Sequence, residues 1–177
     1  IYDDVPGEGV EKSARLLEDK GAVRADKEQL PRMQEICDAL VLSPGIPIDH
    51  PTAVAFKRSG KAVVGETELA ARYMRCPVVA VTGTNGKTTT VSMLEKILSE
   101  GGYKAQACGN IGSPMVKYAE LKEDEVAVAE ISSFQLETLN SLCPHVGVVL
   151  NVTEDHLNRH YNMENYIFLK SKLLKNS

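Results

Sequence analysis

Apolar positions follow two rhythms along this chain. Short runs rich in β-branched and small residues, at 39–42, 62–64, 77–81, 104–107, 125–131 and 146–151, predict strands. Between them, apolar residues spaced three and four apart predict helices over 10–20, 52–59, 66–75, 87–101 and 164–175. The fourth helix ends on Gly101-Gly102, a pair suited to a C-cap. Strands alternating with helices imply an α/β fold with a mostly parallel sheet covered on both faces. Right-handed crossovers then bring the carboxyl ends of the strands to one edge, where ligands bind in such sheets. Cys76-Pro77 marks the expected boundary between two α/β units, 1–75 and 76–177. No internal repeat interrupts the pattern.

The most informative stretch follows the 77–81 strand. Gly83-Thr84-Asn85-Gly86-Lys87-Thr88 is a glycine turn that ends in Lys-Thr and opens a helix. A polyphosphate needs donors at short range that cost little reorganisation, and backbone N–H groups at a helix N-terminus supply them. Glycines at 83 and 86 let the backbone approach phosphate oxygens. The Lys87 ammonium can meet the β- and γ-phosphates, and the Thr88 hydroxyl can ligate Mg²⁺. Two residues separate the glycines where the common phosphate loop has four, so this is a shorter variety.

Composition narrows the classes. With 177 residues, 43% of them hydrophobic, the chain can bury a core. A net charge of −4, 5% aromatic residues and no Trp argue against a nucleic-acid groove. Four scattered cysteines, without a C-x-x-C pair, indicate neither a zinc site nor a disulfide scaffold. No stretch reaches membrane-spanning length and no signal-peptide pattern opens the chain, so a cytoplasmic location is expected. Ile1 stands in what reads as the tail of a strand, and Ser177 follows a helix with no strand after it. The chain is therefore expected to be a fragment.

Four further clusters carry candidate chemistry. Glu130 ends an apolar strand on the edge where the phosphate loop lies, positioned to hold Mg²⁺ or to cap the next helix. Ser132 and Gln135 add hydroxyl and amide groups on the same turn. Asn151-Val152-Thr153-Glu154-Asp155-His156 again follows a strand, which gives His156 a metal or phosphate role as an alternative to a surface position; His160 reads as an ordinary surface or core histidine. Cys108-Gly109-Asn110-Ile111-Gly112 reads as a tight connection. Lys170 lies on a helix with Tyr166 and Lys172, where a solvated lysine is the common case.

Together these motifs resemble the Mur ligase family. The short phosphate loop is the family form; Ser132-Ser133-Phe134-Gln135-Leu136-Glu137 and Asn151-Val152-Thr153-Glu154-Asp155-His156-Leu157 are similar to its D-glutamate-adding branch. Ser43-Pro44-Gly45-Ile46-Pro47 and Gly109-Asn110-Ile111-Gly112 agree. The resemblance implies a partial Rossmann-like uridine-binding domain over 1–75 and the N-terminal part of a P-loop ATPase domain over 76–177, with the C-terminal amino-acid domain absent. It implies an ATP-dependent amide ligase of peptidoglycan precursor synthesis, acting on UDP-N-acetylmuramoyl-L-alanine and D-glutamate through an acyl phosphate, monomeric when complete and inactive as this piece alone.

Residue by residue, the resemblance implies ATP on Gly83, Thr84, Asn85, Gly86, Lys87, Thr88 and Thr89. One Mg²⁺ would sit on Thr88 and Glu130, and a second on His156 and a carbamate of Lys170. Nucleotide-sugar contacts would come from Asp3, Asp4, Ser43, Gly45, Asn110, Ser132 and Gln135. An ammonium cannot ligate Mg²⁺, and at an ordinary lysine pKa only about one amine in 10³ is neutral at pH 7, so carbamylation requires a site that lowers that value. Lys172 is the neighbouring candidate. Three other readings remain open: a folylpolyglutamate synthase-like ligase, a nucleotide hydrolase or switch, and a nucleotide-binding module without ligation.

Overall fold

The structure, a computed structural model, describes residues 1–3 and 7–175. Contacts divide the chain into two compact units, Ile1–Leu40 with Asp49–Ala62, and Val41–Ile48 with Val63–Ser177.

The first unit is mainly helical. Helix α1 (Glu8–Glu18) is followed by a 3-10 segment (Lys27–Arg32), the single turn α2 (Met33–Ile36) and α3 (Pro51–Arg58), with Ala14, Ala53 and Phe56 buried. The 3-10 segment and α2 were not legible in the apolar rhythm, because six residues containing Pro31 and one further turn are too short to establish a period. The expected strand tail at the start is not formed. Residues 1–3 carry no strand, although the Ile1 ammonium donates to the Val23 carbonyl at 2.6 Å and Ala25 N–H to the Ile1 carbonyl at 2.9 Å. These two bonds join Ile1 to the 23–25 segment without extending into a ladder.

Two short strands, β1 (Ala39–Leu42) and β2 (Ala62–Gly65), pair with each other; β2 leads into α4 (Glu66–Tyr73). The second unit is built on a four-stranded sheet: β3 (Val78–Thr82), β4 (Lys104–Gly109), β5 (Glu125–Glu130) and β6 (Val146–Val149), in the order β4-β5-β3-β6, all parallel. Successive side chains of a strand point to opposite faces, and the burial follows. Val78, Ala80, Ala127 and Ala129 pack in one cluster with Ala70 of α4, Leu136 of α6 (Ser133–Thr138) and Leu173 of α8 (Met163–Lys175). Val81 and Val128 pack on the other face with Val91, Leu94 and Leu98 of α5 (Lys87–Glu100). Full burial of a side chain such as Val91 contributes about 1.5–3 kcal/mol relative to exposure.

The strand order fixes the location of the site. Strand β3 lies between β5 and β6, and the connections that leave the adjacent strands β3 and β5 run to opposite faces of the sheet, into α5 and α6, which makes a topological switch point. In register, Val81 of β3 and Gly109 of β4 both stand beside Glu130 of β5. Strand β6 is two residues shorter than its apolar run. Leu150 N–H still bonds the Thr82 carbonyl at 3.0 Å, but Asn151 turns its backbone and side chain to the loop after β3.

Candidate functional site

The loop after β3 ends on Gly86, whose φ of 84° is left-handed and favours glycine. Helix α5 starts there with no side-chain cap. The N–H groups of its first turn therefore lack an internal partner, which makes the helix start a seat for an anion. Lys87, on the first turn, folds back on the loop and donates to the Gly83 and Thr84 carbonyls at 3.0 and 2.9 Å. Asn85, Thr88 and Thr89 are exposed to solvent at this end.

Two neighbouring strands deliver polar groups to the loop. Glu130, 2% exposed at the end of β5, accepts from the Thr88 hydroxyl at 2.7 Å on one carboxylate oxygen and from the Asn110 side-chain amide at 2.8 Å on the other. It does not cap the following helix. Ser132 does so, in a capping box: Gln135 N–H donates to the Ser132 hydroxyl oxygen at 3.3 Å, and the Gln135 side-chain oxygen accepts from Ser132 N–H at 2.8 Å. Ser132 and Gln135 thus first serve the start of α6.

Asn110 reaches Glu130 because β4 and β5 approach closely. Asn110 N–H bonds the Glu130 carbonyl at 2.9 Å, and a Cβ on Gly109 would stand 2.3 Å from that same carbonyl oxygen. With a φ of +93°, Gly109 is required on both counts. The glycine-bracketed turn, read from sequence as a plain connection, presents Asn110 to the carboxylate.

From β6, Asn151 braces the phosphate loop. Its side-chain oxygen accepts from the N–H groups of Thr84 and Asn85 at 3.2 and 3.0 Å, and its amide donates to the Asn85 carbonyl at 3.1 Å. The Thr84 hydroxyl contacts Thr153 N–H at 3.0 Å and the Tyr166 hydroxyl at 3.2 Å. Neither Asn151 nor Tyr166 had been given a role from sequence. The available signal was the position of Asn151 at a strand end facing a glycine loop; nothing local distinguished Tyr166.

His156 lies further along the same segment. It adopts the left-handed conformation, φ 52°, and starts the single turn α7 (Leu157–His160), which closes on Tyr161 at φ 69°. Two non-glycine residues in this region within six positions are a local store of strain, held by hydrogen bonds from Arg159 and His160 N–H to the His156 carbonyl. The His156 ring is exposed, 3.4 Å from the Asp155 carboxylate, and tilts against Phe134 at 4.8 Å between centroids. His160 is buried. Its Nε2 lies 2.9 Å from the Ser133 hydroxyl, and burial lowers its pKa against the opposing pull of Glu137.

Lys170 is not a solvated lysine. It is 1% exposed, donates to the Gly83 carbonyl at 2.8 Å and lies over the Tyr166 ring. Burial, reinforced by the charge of Lys87 and opposed by Asp155, lowers its pKa to about 8. Lys172 faces elsewhere, toward the Leu136 carbonyl at 2.6 Å. Of the remaining candidates, Ser43 and Gly45 form a turn held by Arg159, Asp3 lines a shallow cavity of about 300 Å³ in the first unit, and Asp4 lies outside the described residues. Among the described residues, no three His, Cys, Asp or Glu side chains cluster as a metal site, and no helix is long and apolar enough to cross a membrane.

A phosphate-loop arrangement of this kind occurs in several families, and comparison with known proteins separates them. The Mur ligase middle domain matches residues 81–177, more than half of the sequence. The chain belongs to the Mur ligase family. This Mur ligase chain is 48% identical over 144 residues to the UDP-N-acetylmuramoylalanine–D-glutamate ligase of Pelotomaculum thermopropionicum, covering 81% of the chain and 32% of that protein. It is 43% identical over 162 residues to the ligase of the same name from Koribacter versatilis, covering 91% of the chain and 36% of that protein. It spans about a third of the length of the curated relatives it matches. Among solved structures it resembles a UDP-N-acetylmuramoyl-L-alanyl-D-glutamate–2,6-diaminopimelate ligase, with a TM-score of 0.53 at 22% identity, covering 81% of this chain and 40% of that one. UDP-N-acetylmuramate-alanine ligase from Thermotoga maritima gives 0.52 at 20% identity, covering 94% and 39%. These likenesses show the fold, and the parallel α/β architecture expected from sequence is the one they share.

Proposed function

We propose that this chain is part of an ATP-dependent ligase that adds D-glutamate to UDP-N-acetylmuramoyl-L-alanine, acting as a monomer in the cytoplasm during peptidoglycan precursor synthesis. Residues 1–75 would contribute to the uridine-binding domain and 76–177 to the ATPase domain. The observation that carries the reading is the Thr88–Glu130 contact of 2.7 Å at the uncapped start of α5, which joins a triphosphate seat to a buried carboxylate. The names of relatives at 43–48% identity direct it to D-glutamate.

The chemistry runs in two steps. The substrate's alanyl carboxylate oxygen attacks the γ-phosphorus of ATP, the bond to the bridging oxygen breaks and ADP leaves. The D-glutamate amine then attacks the acyl-phosphate carbonyl, loses a proton, and expels phosphate to leave an amide. Such a transfer is catalysed mainly by positioning and charge neutralisation. Loop N–H groups and the Lys87 ammonium would hold the phosphates, with Lys87 turning from the loop carbonyls to its ligand. Asn151 and Tyr166 would keep the loop in shape. Asn110, Ser132, Gln135, Ser43 and Gly45 would face the nucleotide sugar.

The donors suit a hard cation, since Thr88 and Glu130 offer a hydroxyl and a carboxylate whose oxygens already meet. They would hold one Mg²⁺, and His156 with a carbamate of Lys170 a second. Bound Mg²⁺ would neutralise charge on the triphosphate. With a pKa of about 8, roughly a tenth of Lys170 is neutral at pH 7, and that form can attack carbon dioxide. The direct test is phosphate release by the full-length protein with UDP-N-acetylmuramoyl-L-alanine and a panel of amino acids. Release that depends on D-glutamate supports the reading; release indifferent to the amino acid overturns it.

A further inference from the structure

Arg159, noted above only as holding the turn of Ser43 and Gly45, takes no part in the chemistry described so far, yet it is among the most heavily bonded side chains of the second unit. Its Nε and Nη2 donate to the two oxygens of Glu137 at 2.9 and 2.6 Å, a forked pair with the side chains only 13% and 6% exposed. The remaining N–H groups turn to the 43–47 segment. Nη1 donates to the Gly45 carbonyl at 3.2 Å, and Nη2 to those of Ile46 and Pro44 at 3.1 and 3.4 Å. The guanidinium lies 4.8 Å over the Phe134 ring, and that ring also packs on His156. One planar cation thus ties three consecutive backbone carbonyls of a turn to α6 and to the segment that carries His156.

We propose that Arg159 is a positioning residue for the nucleotide sugar: it holds the Ser43-Pro44-Gly45-Ile46 turn in a fixed place relative to His156. This rests on the reading that the turn faces that substrate. Three features support it. The turn has one internal bond, from Ile46 N–H to the Ser43 carbonyl at 3.0 Å, so most of its definition comes from Arg159. A fork of coplanar donors is needed to reach a carboxylate and several carbonyls at once, which lysine, a point charge with three donors, cannot do. Arg159 also sits on α7, whose ends both have positive φ, so the fork joins the turn to a backbone of closely defined shape.

The test compares Arg159→Lys and Glu137→Gln with the wild type by hydrogen exchange and by kinetics of the full-length ligase. Arg159→Lys is expected to speed exchange at 43–47 while β3 and α5 keep their protection. It is also expected to raise KM for the uridine sugar roughly tenfold, with KM for ATP and kcat within about threefold. Glu137→Gln, which keeps the shape and one acceptor, is expected to change both in the same direction by less. Unchanged exchange at 43–47, or equal loosening throughout the sheet, overturns the clamp. Loosened exchange with an unchanged KM for the sugar overturns its role toward substrate. A wild-type enzyme that ignores the uridine sugar overturns the functional reading and this substrate role with it, while exchange still decides the clamp.

Discussion

The Thr88 hydroxyl donates to the Glu130 carboxylate at 2.7 Å, joining the first turn of α5 to the end of β5. The parallel register sets Val81 beside Glu130, so the phosphate loop, which leaves β3 just beyond Val81, starts next to that acid. Replacing Glu130 by Gln keeps the volume and an acceptor but removes the charge. It should leave the thermal midpoint nearly unchanged while Mg²⁺-dependent ATP turnover in the full-length ligase falls by roughly 10²-fold or more. Calorimetric nucleotide titrations with and without Mg²⁺ check the same point.

Gly109→Ala should destabilise the chain. The left-handed backbone alone costs roughly 1–3 kcal/mol for a non-glycine residue, and the added Cβ would also displace the Glu130 carbonyl. Gly112→Ala, at φ +64° but with open space around it, carries only the backbone strain. Chemical denaturation of the two variants isolates the cost of the close approach, and equal losses would contradict it.

The sheet and its edge were legible because buried parallel strands are continuous apolar runs. The polar residues that end them, Glu130 and Asn151, mark the functional edge directly. Sequence placed Glu130 beside the phosphate loop correctly, because strand-end position follows from topology alone. It could not show that Gly109 exists to let Asn110 reach that acid, since this depends on the β4-β5 register. Arg159 was invisible for a similar reason: its partners lie 22 and about 113–115 positions away, and no local period encodes a contact at that range. The helix expected after Glu130 is α6, capped by Ser132 with Gln135; its extent, like that of the single turn α7, was not legible because so few turns carry no amphipathic period.

Lys170 and Lys172 are two positions apart on α8 but face different partners, the Gly83 and Leu136 carbonyls. Lys170→Ala in the full-length ligase should reduce phosphate release by roughly 10²-fold or more, whereas Lys172→Ala should stay within a few-fold. A damaging Lys172→Ala beside a mild Lys170→Ala would reverse the assignment.

Glu68 supplies a pH-dependent contribution to stability away from the site. Burial would raise its pKa, but N–H bonds from Asn140 and Ser141 at 2.7 and 2.9 Å, together with the Arg72 ion pair, outweigh burial and lower it. A carboxylate with a depressed folded pKa contributes stability above its unfolded pKa and loses it as pH falls through the folded value. Thermal midpoints of the wild type should therefore drop below about pH 4 more steeply than those of Glu68→Gln. At pH 7, Glu68→Ala should cost roughly 1–3 kcal/mol, because two backbone N–H groups lose a charged acceptor.

The most direct test of ligation through an acyl phosphate is the fate of oxygen. The full-length protein is given UDP-N-acetylmuramoyl-L-alanine labelled with ¹⁸O in its alanyl carboxylate, together with ATP and D-glutamate, and the released phosphate is analysed by mass spectrometry. The account predicts one labelled oxygen per phosphate and loss of the signal in Lys87→Ala. Phosphate released without label would mean that water attacks ATP, and would contradict it.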